Sequence, residues 1–238
     1  MFRQVTAAAA LAASLFAGSA QAQENYLTMP SPWAGFYVGA AIGGGWGDGT
    51  LSQTAMPAAS IPATSVTLGM SGGIVGAVAG YNWRFDRFVI GLEADASVSG
   101  VGGSVVGGVT ATMPCISPGT CSVSIGNLFT GRVRIGLPIG SFTPMAKDIM
   151  PFITGGVAFG DLHGAGGANV TDGMRTGYVV GGGIDVALHD GWAVRGEYLF
   201  VDLGSVSSTF GVAPYSATLT AKATGTSIVR VALTKRLP

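Results

Sequence analysis

The sequence predicts an all-β protein, a closed barrel of eight antiparallel strands that crosses a lipid bilayer. Three observations carry that prediction. First, the chain of 238 residues is 48% hydrophobic, with a mean hydropathy of +0.49, and only 10% charged; soluble domains carry about 25% charge. Second, past residue 22 there is no uninterrupted apolar run long enough for a membrane helix, which needs roughly 18 residues or more. An apolar chain without spanning helices is left with the other structure that satisfies its backbone in hydrocarbon, a closed barrel. Third, apolar and polar residues alternate with period two in segments of strand length.

Composition narrows the class further. Glycine supplies 40 residues, about 17% against a usual value of about 7%, without the period of collagen. Twelve Lys and Arg balance twelve Asp and Glu, so no basic surface is offered to nucleic acid. So little charge on so apolar a chain also excludes a disordered tail.

The N-terminus predicts export. Arg3 is a short basic start, Val5 to Phe16 an apolar stretch rich in Ala, and Ala20-Gln21-Ala22 a small-residue cleavage signal. A secretory leader is expected over residues 1–22, a short periplasmic segment over 23–33, and one barrel domain over 34–238. The mature chain, from Gln23, loses one basic residue and carries a net charge of −1.

The strands follow in order. Ala34–Trp46, Gly72–Arg84 and Pro151–Gly160 are the weaker candidates, because Gly and Ala occupy both faces. Phe88–Gly100 is clearer: Phe88, Ile90, Leu92, Ala94 and Ala96 alternate with Val89, Gly91, Glu93, Asp95 and Ser97. Ser122–Leu137 opposes Phe129, Val133, Ile135 and Leu137 to Arg132 and Arg134. Gly173–Leu188 opposes Tyr178, Val180, Ile184, Val186 and Leu188 to Gly181, Gly183 and Asp185. Trp192–Leu203 sets Trp192, Val194, Gly196, Tyr198 and Phe200 against Ala193, Arg195, Glu197, Leu199 and Val201. Thr224–Leu237 opposes Val229, Val231 and Leu233 to Arg230 and Thr234. Tilted strands of about 9–11 residues cross a bilayer.

The connections alternate in length. Phe85-Asp86-Arg87 and His189-Asp190-Gly191 are tight, the second with the Asp-Gly hairpin signal; Ile139–Met150, with Pro144, is longer. Gly47–Ser71, Val101–Cys121, Asp161–Asp172 and Gly204–Ala223 are long and rich in small residues. Short turns at one end and long loops at the other are the outer-membrane pattern, the short turns being periplasmic. The apolar face then looks at lipid and the polar, glycine-rich face at a narrow lumen. Aromatic girdles are expected from Trp83, Phe85, Phe88, Trp192, Tyr198 and Phe200. Trp192 and Phe200 share a face, about 26 Å apart along a strand, or about 20 Å of height at a tilt of about 40°.

The alternation puts Glu93, Asp95, Asp185 and Glu197 inside with Arg132, Arg134, Arg195 and Arg230, a neutral set. Buried charges are costly unless paired, and the interior of an eight-stranded barrel is just wide enough to be filled by side chains. An internal ion-pair network that obstructs the lumen is therefore expected, with a charge-lined narrow pore as the alternative. Cys115 and Cys121 bracket five residues of the second long loop, and an oxidising compartment favours a local disulfide between them. No metal site is expected: the two histidines, His163 and His189, fall at opposite ends. Gly69-Met-Ser-Gly-Gly73 matches a nucleophile elbow in letters only, since Ser71 leads into a glycine-rich strand rather than a strand-to-helix turn.

Several segments resemble one family. Trp33-Ala-Gly-Phe-Tyr-Val-Gly39 resembles the first strand of the small porin-like outer-membrane β-barrel proteins of alphaproteobacteria, the outer-membrane immunogenic type related to opacity and OmpA-like barrels. Gly80-Tyr-Asn-Trp83 with Gly91-Leu-Glu-Ala-Asp95 resembles their second hairpin, Thr130–Gly136 their fourth strand and Gly191–Gly204 their seventh. The likeness covers nearly all of the mature chain. It implies an eight-stranded antiparallel up-and-down transmembrane β-barrel in the bacterial outer membrane; it does not imply an enzyme and brings no catalytic residues, and no enzyme activity and no cofactor are expected. At the C-terminus Leu237 replaces the family's closing aromatic, and Pro238 follows. The expected partners are outer-membrane lipid and the barrel-assembly machinery, with no extracellular partner named. The expected role is structural and surface-exposed. A small porin is the first alternative and a surface receptor for a ligand such as haem the second.

Overall fold

Asp86 and Asp190 are the two non-glycine residues with left-handed backbone (φ 44° and 57°) among the described residues, and each sits in a tight hairpin. Aspartate tolerates that conformation better than most residues. At the first hairpin Phe85 pairs with Phe88; at the second, Asp190 is followed by Gly191 at φ 75°. The computed structural model describes residues 32–55, 62–106, 120–140, 148–166, 169–211 and 216–238. They belong to one unit, Pro32–Pro238. The expected leader, 1–22, and residues 23–31 of the segment after it lie outside the described residues, as does Cys115.

The strands are β1 (Gly35–Gln53), β2 (Thr64–Phe85), β3 (Phe88–Val106), β4 (Thr120–Gly136), β5 (Asp148–Gly166), β6 (Asn169–Ala187), β7 (Trp192–Asp202), β8 (Gly204–Phe210) and β9 (Ala217–Arg236). Each is antiparallel to its neighbours in the order β1-β2-β3-β4-β5-β6-β7-β9, and β1 pairs with β9, from Tyr37↔Arg236 to Gln53↔Leu219, to close the sheet. β7 and β8 both pair with β9 and flank Leu203, so together they fill one wall position and the barrel has eight. The break between them is local. Gly204 has φ 68°, and its N–H donates to Asp202 Oδ1 at 2.8 Å.

The strands outrun their expected bounds at the loop end. β2 has 22 residues, and β1 pairs with it as far as Gln53↔Thr64, inside the stretch read from sequence as a long loop. β8 and the first half of β9 occupy another such stretch. The cause is on their inner face: Leu51, Leu68, Met70, Val206, Leu219 and Ala221 are buried there and give the ladder an apolar core of its own. Ser71 lies in mid-strand, paired with Trp46.

The outer face is apolar. Trp83, Phe85, Phe88 and Trp192 are exposed at the turn end, where Phe85 and Phe88 stack at 5.9 Å and Lys235 Nζ lies 5.0 Å from the Trp192 ring centre. Toward the loop end the rings of Tyr178 and Phe200 lie 6.3 Å apart, Phe200 only partly exposed, and the Tyr198 hydroxyl meets Ser227 Oγ at 2.9 Å. Phe36 and Trp46 are both exposed on β1. Their spacing of about 33 Å along the strand becomes about 25 Å at a tilt of about 40°, the height of a lipid-facing band.

Candidate functional site: a charged layer inside the barrel

The inner face of β7 shows how the lumen is layered. Ala193 comes first, then Arg195 and Glu197, then Leu199 and Val201, with Leu203 beyond. A similar succession recurs on β4. β4 contributes Arg134 and Arg132, then Thr130, Leu128, Ile125 and Val123, all buried.

The middle layer is ionic. Glu93, Asp95, Arg132, Arg134, Asp185, Arg195, Glu197 and Arg230 all have buried side chains, and each arginine bridges at least two carboxylates. Arg132 binds Glu93, Asp95 (3.0 Å) and Glu197 (3.0 Å). Arg230 binds Asp95 (2.9 Å) and Glu197 (2.7 Å). Arg195 binds Asp185 through Nε (2.6 Å) and Nη2 (3.2 Å), and reaches Glu93 with Nη1. Arg134 binds Asp185 and, at 3.5 Å, Glu93. Glu93 thus accepts from three arginines. The formal charge of the set is zero, and the planar fork of arginine suits such bridging.

Neutral groups complete the layer, and the alternation did not single them out. Tyr37 donates its hydroxyl to Glu93 Oε2 (2.5 Å) and accepts from Arg134 Nη1 (3.1 Å). Thr130 donates to Asp95 Oδ2 (2.5 Å). The ring centre of Phe152 lies 4.2 Å from the Arg134 guanidinium carbon and 5.1 Å from that of Arg195, a geometry in which aromatic faces attract cations. Two donors, Arg132 Nε and Arg134 Nε, are buried without a partner. Glycine makes the room. A Cβ on Gly80 would stand 2.5 Å from the Tyr37 hydroxyl, and one on Gly91 2.9 Å from Arg134 Cγ.

Apolar layers lie on both sides. Toward the loop end Leu51, Leu128, Leu162, Leu199, Leu219 and Ile228 belong to a cluster drawn from every strand. Toward the turn end Trp33 packs with Val89, Met150 and Ala187. Trp33 Nε1 donates to Asp148 Oδ2 (2.8 Å), and its carbonyl accepts from Asn82 Nδ2 (3.1 Å). Between Trp33 and the charges is a cavity of about 20 Å³ bordered by Tyr37, Asp185 and Arg195, room for about one water.

The remaining candidates are dispersed. Cys121 is buried in the loop-end cluster and disulfide-bonded. His163 is exposed on β5 and His189 in the turn before β7. Among the described residues no three His, Cys, Asp or Glu could share a metal ion.

Residues 8–225 match the family model described as the outer membrane protein beta-barrel domain. The 31 kDa outer-membrane immunogenic protein of Brucella melitensis is 29% identical over 215 residues, 81% of this chain and 84% of that protein. The 22 kDa outer membrane protein of Rhizobium leguminosarum bv. viciae is 26% identical over 187 residues, covering 77% and 71%. The crystal structure of Neisserial surface protein A aligns at a TM-score of 0.40 and 11% identity, over 86% of this chain and 98% of that one.

Proposed function

Because the chain belongs to the outer membrane protein beta-barrel domain family and is an outer-membrane protein, we propose that it is a structural, surface-exposed barrel whose lumen is closed. The observation that carries this reading is the mutual saturation of the eight lumen charges. A pore that selects solutes needs charges free to meet them; here every guanidinium of the ionic layer already spans two carboxylates. The aliphatic layer above adds a second obstruction, since it offers a hydrated ion no polar partner. The same saturation argues against an enzyme: the clustered polar groups are paired acids and arginines, not a nucleophile beside a base.

On this reading the partners are the lipid around the apolar face and, during biogenesis, the barrel-assembly machinery, with the loop end displayed outside the cell. Deletion of the gene tests the role. The expected phenotype is greater sensitivity to detergent with unchanged uptake of small hydrophilic solutes, and complementation by the wild-type protein. Slowed solute uptake with an intact detergent barrier would instead assign a small porin.

A further inference from the structure

Across β6, β7 and β9 the inner face at the turn end is made of small residues: Ala187 pairs with Ala193, and Ala193 with Thr234. Such a rim should be open to water, one inner position from Asp185 and Arg195. Yet Ala187 is 2% exposed, and Val89 and Met150, at the same end of β3 and β5, are 0% exposed. The cover comes from outside the wall. The indole of Trp33, two residues before β1, forms one buried cluster with these three side chains.

The segment Pro32–Gly35 is shaped to bring it there. Gly35, where β1 starts, has φ 110°, a backbone conformation open to glycine and strained for other residues. A Cβ there would meet nothing nearer than Arg236 Cδ at 3.9 Å, so glycine serves the turn and not the space. Three catches hold the turned-in chain. Asn82 Nδ2 of β2 donates to the Trp33 carbonyl (3.1 Å), Arg236 Nη1 of β9 donates to the Ala34 carbonyl (3.4 Å), and Trp33 Nε1 donates to Asp148 Oδ2 of β5 (2.8 Å). β5 stands opposite β1 in the ring of eight wall positions, so the indole reaches across the mouth. Asp148 is itself fixed, its Oδ1 accepting from the N–H groups of Gly140 (2.9 Å) and Ile149 (2.8 Å). Asn82 is buried and its Oδ1 has no partner; the bond to the strap is what offsets part of the cost of burying this amide.

We propose that Pro32–Gly35 is a hinged strap, with Trp33 as its cork, that closes the turn end of the lumen and uncovers the ionic layer when it swings out. Gly35 is the hinge. A swing breaks three hydrogen bonds and exposes one indole, and it leaves the ladder whole, because the pairing of β1 with β2 begins at Gly35↔Asn82. Segments tied by so few bonds open before the sheet does. Beneath the cork lies the cavity bordered by Thr234, Asp185 and Arg195, so solvent that enters meets the charges first. The aliphatic layer is a separate closure toward the loop end. A leak through it would refute the closed lumen without touching the strap.

A thiol placed under the cork reads its position. Thr234→Cys puts one in the wall of the cavity, where the native side chain is buried, and no free cysteine among the described residues competes with it. The refolded protein in dodecyl maltoside micelles is treated with a water-soluble cationic methanethiosulfonate, and modification is followed by mass spectrometry. With Trp33 in place the thiol should react slowly. Adding Trp33→Ala should speed the reaction by about tenfold or more; Trp33→Phe, which keeps an aromatic ring but not the bond to Asp148, should speed it less. Trp33→Phe also serves as the test variant if Trp33→Ala fails to show the heat-modifiable mobility of a folded barrel. Leu199→Cys, beyond the ionic layer, should stay unreactive with and without Trp33. Equal rates for the Thr234→Cys proteins with and without Trp33 would overturn the strap. A parallel rise for Leu199→Cys would overturn it as well, because the whole barrel would then have loosened.

Discussion

Replacing Glu93 with alanine removes the carboxylate on which three guanidiniums converge. Arg132 would keep Asp95 and Glu197, each at 3.0 Å. Arg134 and Arg195 would be left to share Asp185, and the Tyr37 hydroxyl would lose its acceptor at 2.5 Å. The ionic layer would change from neutral to a formal +1 while remaining between apolar layers. Breaking a buried pair by deleting one partner costs about 3–5 kcal/mol. The convergence of three cations on Glu93 puts this substitution toward the upper part of that range. Urea titration of the protein in phosphatidylcholine vesicles, followed by tryptophan fluorescence, measures the loss. A second variant, Glu93→Ala with Arg195→Met, restores neutrality and should recover about 1–3 kcal/mol as the coupling between the two sites. Should Glu93→Ala unfold within about 1 kcal/mol of the wild type, the carboxylate is hydrated rather than locked between arginines, and the reasoning about the ionic layer is refuted.

Gly80→Ala should destabilise the same folded state by about 1–3 kcal/mol, because the new Cβ would stand 2.5 Å from the Tyr37 hydroxyl and 2.7 Å from the Leu92 carbonyl oxygen; a variant as stable as the wild type would contradict the close packing at Tyr37. Leu162→Ala, in the fully buried aliphatic layer, should cost about 2–5 kcal/mol in the same titration, whereas a loss near zero would mean that this layer is loosely filled. Thiol titration of the unfolded but unreduced protein should find no free thiol, since Cys121 is disulfide-bonded, and two thiols after reduction; two thiols before reduction would contradict the bond.

Much of the barrel was legible because large residues mark both faces of its middle strands. Phe88, Ile90 and Leu92 against Val89, Glu93 and Asp95 fix the phase of β3, and a strand cannot slip by one residue without exchanging its two faces. With the phase known, the eight charges fall on one side, and the structure places all eight inside. The aliphatic layer was harder to read. Leu199 and Val201 look like lipid-facing residues in isolation, since hydropathy does not distinguish the bilayer from a packed interior; the phase carried up from Arg195 and Glu197 was the signal that set them inside. Tyr37 was missed because Gly and Ala surround it on both faces of β1. The loop-end extensions were missed because Gly, Ser and Thr read as connection, although Leu51, Leu68 and Met70 are spaced to line one face. The break between β7 and β8 had one local cue, the Asp202-Leu203-Gly204 sequence of a side-chain-capped turn.

Planar-bilayer conductance of the refolded protein, checked for folding by its heat-modifiable mobility, tests the closed lumen most directly. The ionic layer and the aliphatic layer above it predict a silent barrel, or rare small openings, across the physiological range of voltage and salt. A steady, reproducible conductance from demonstrably folded protein would contradict them and leave the lumen charges lining a path.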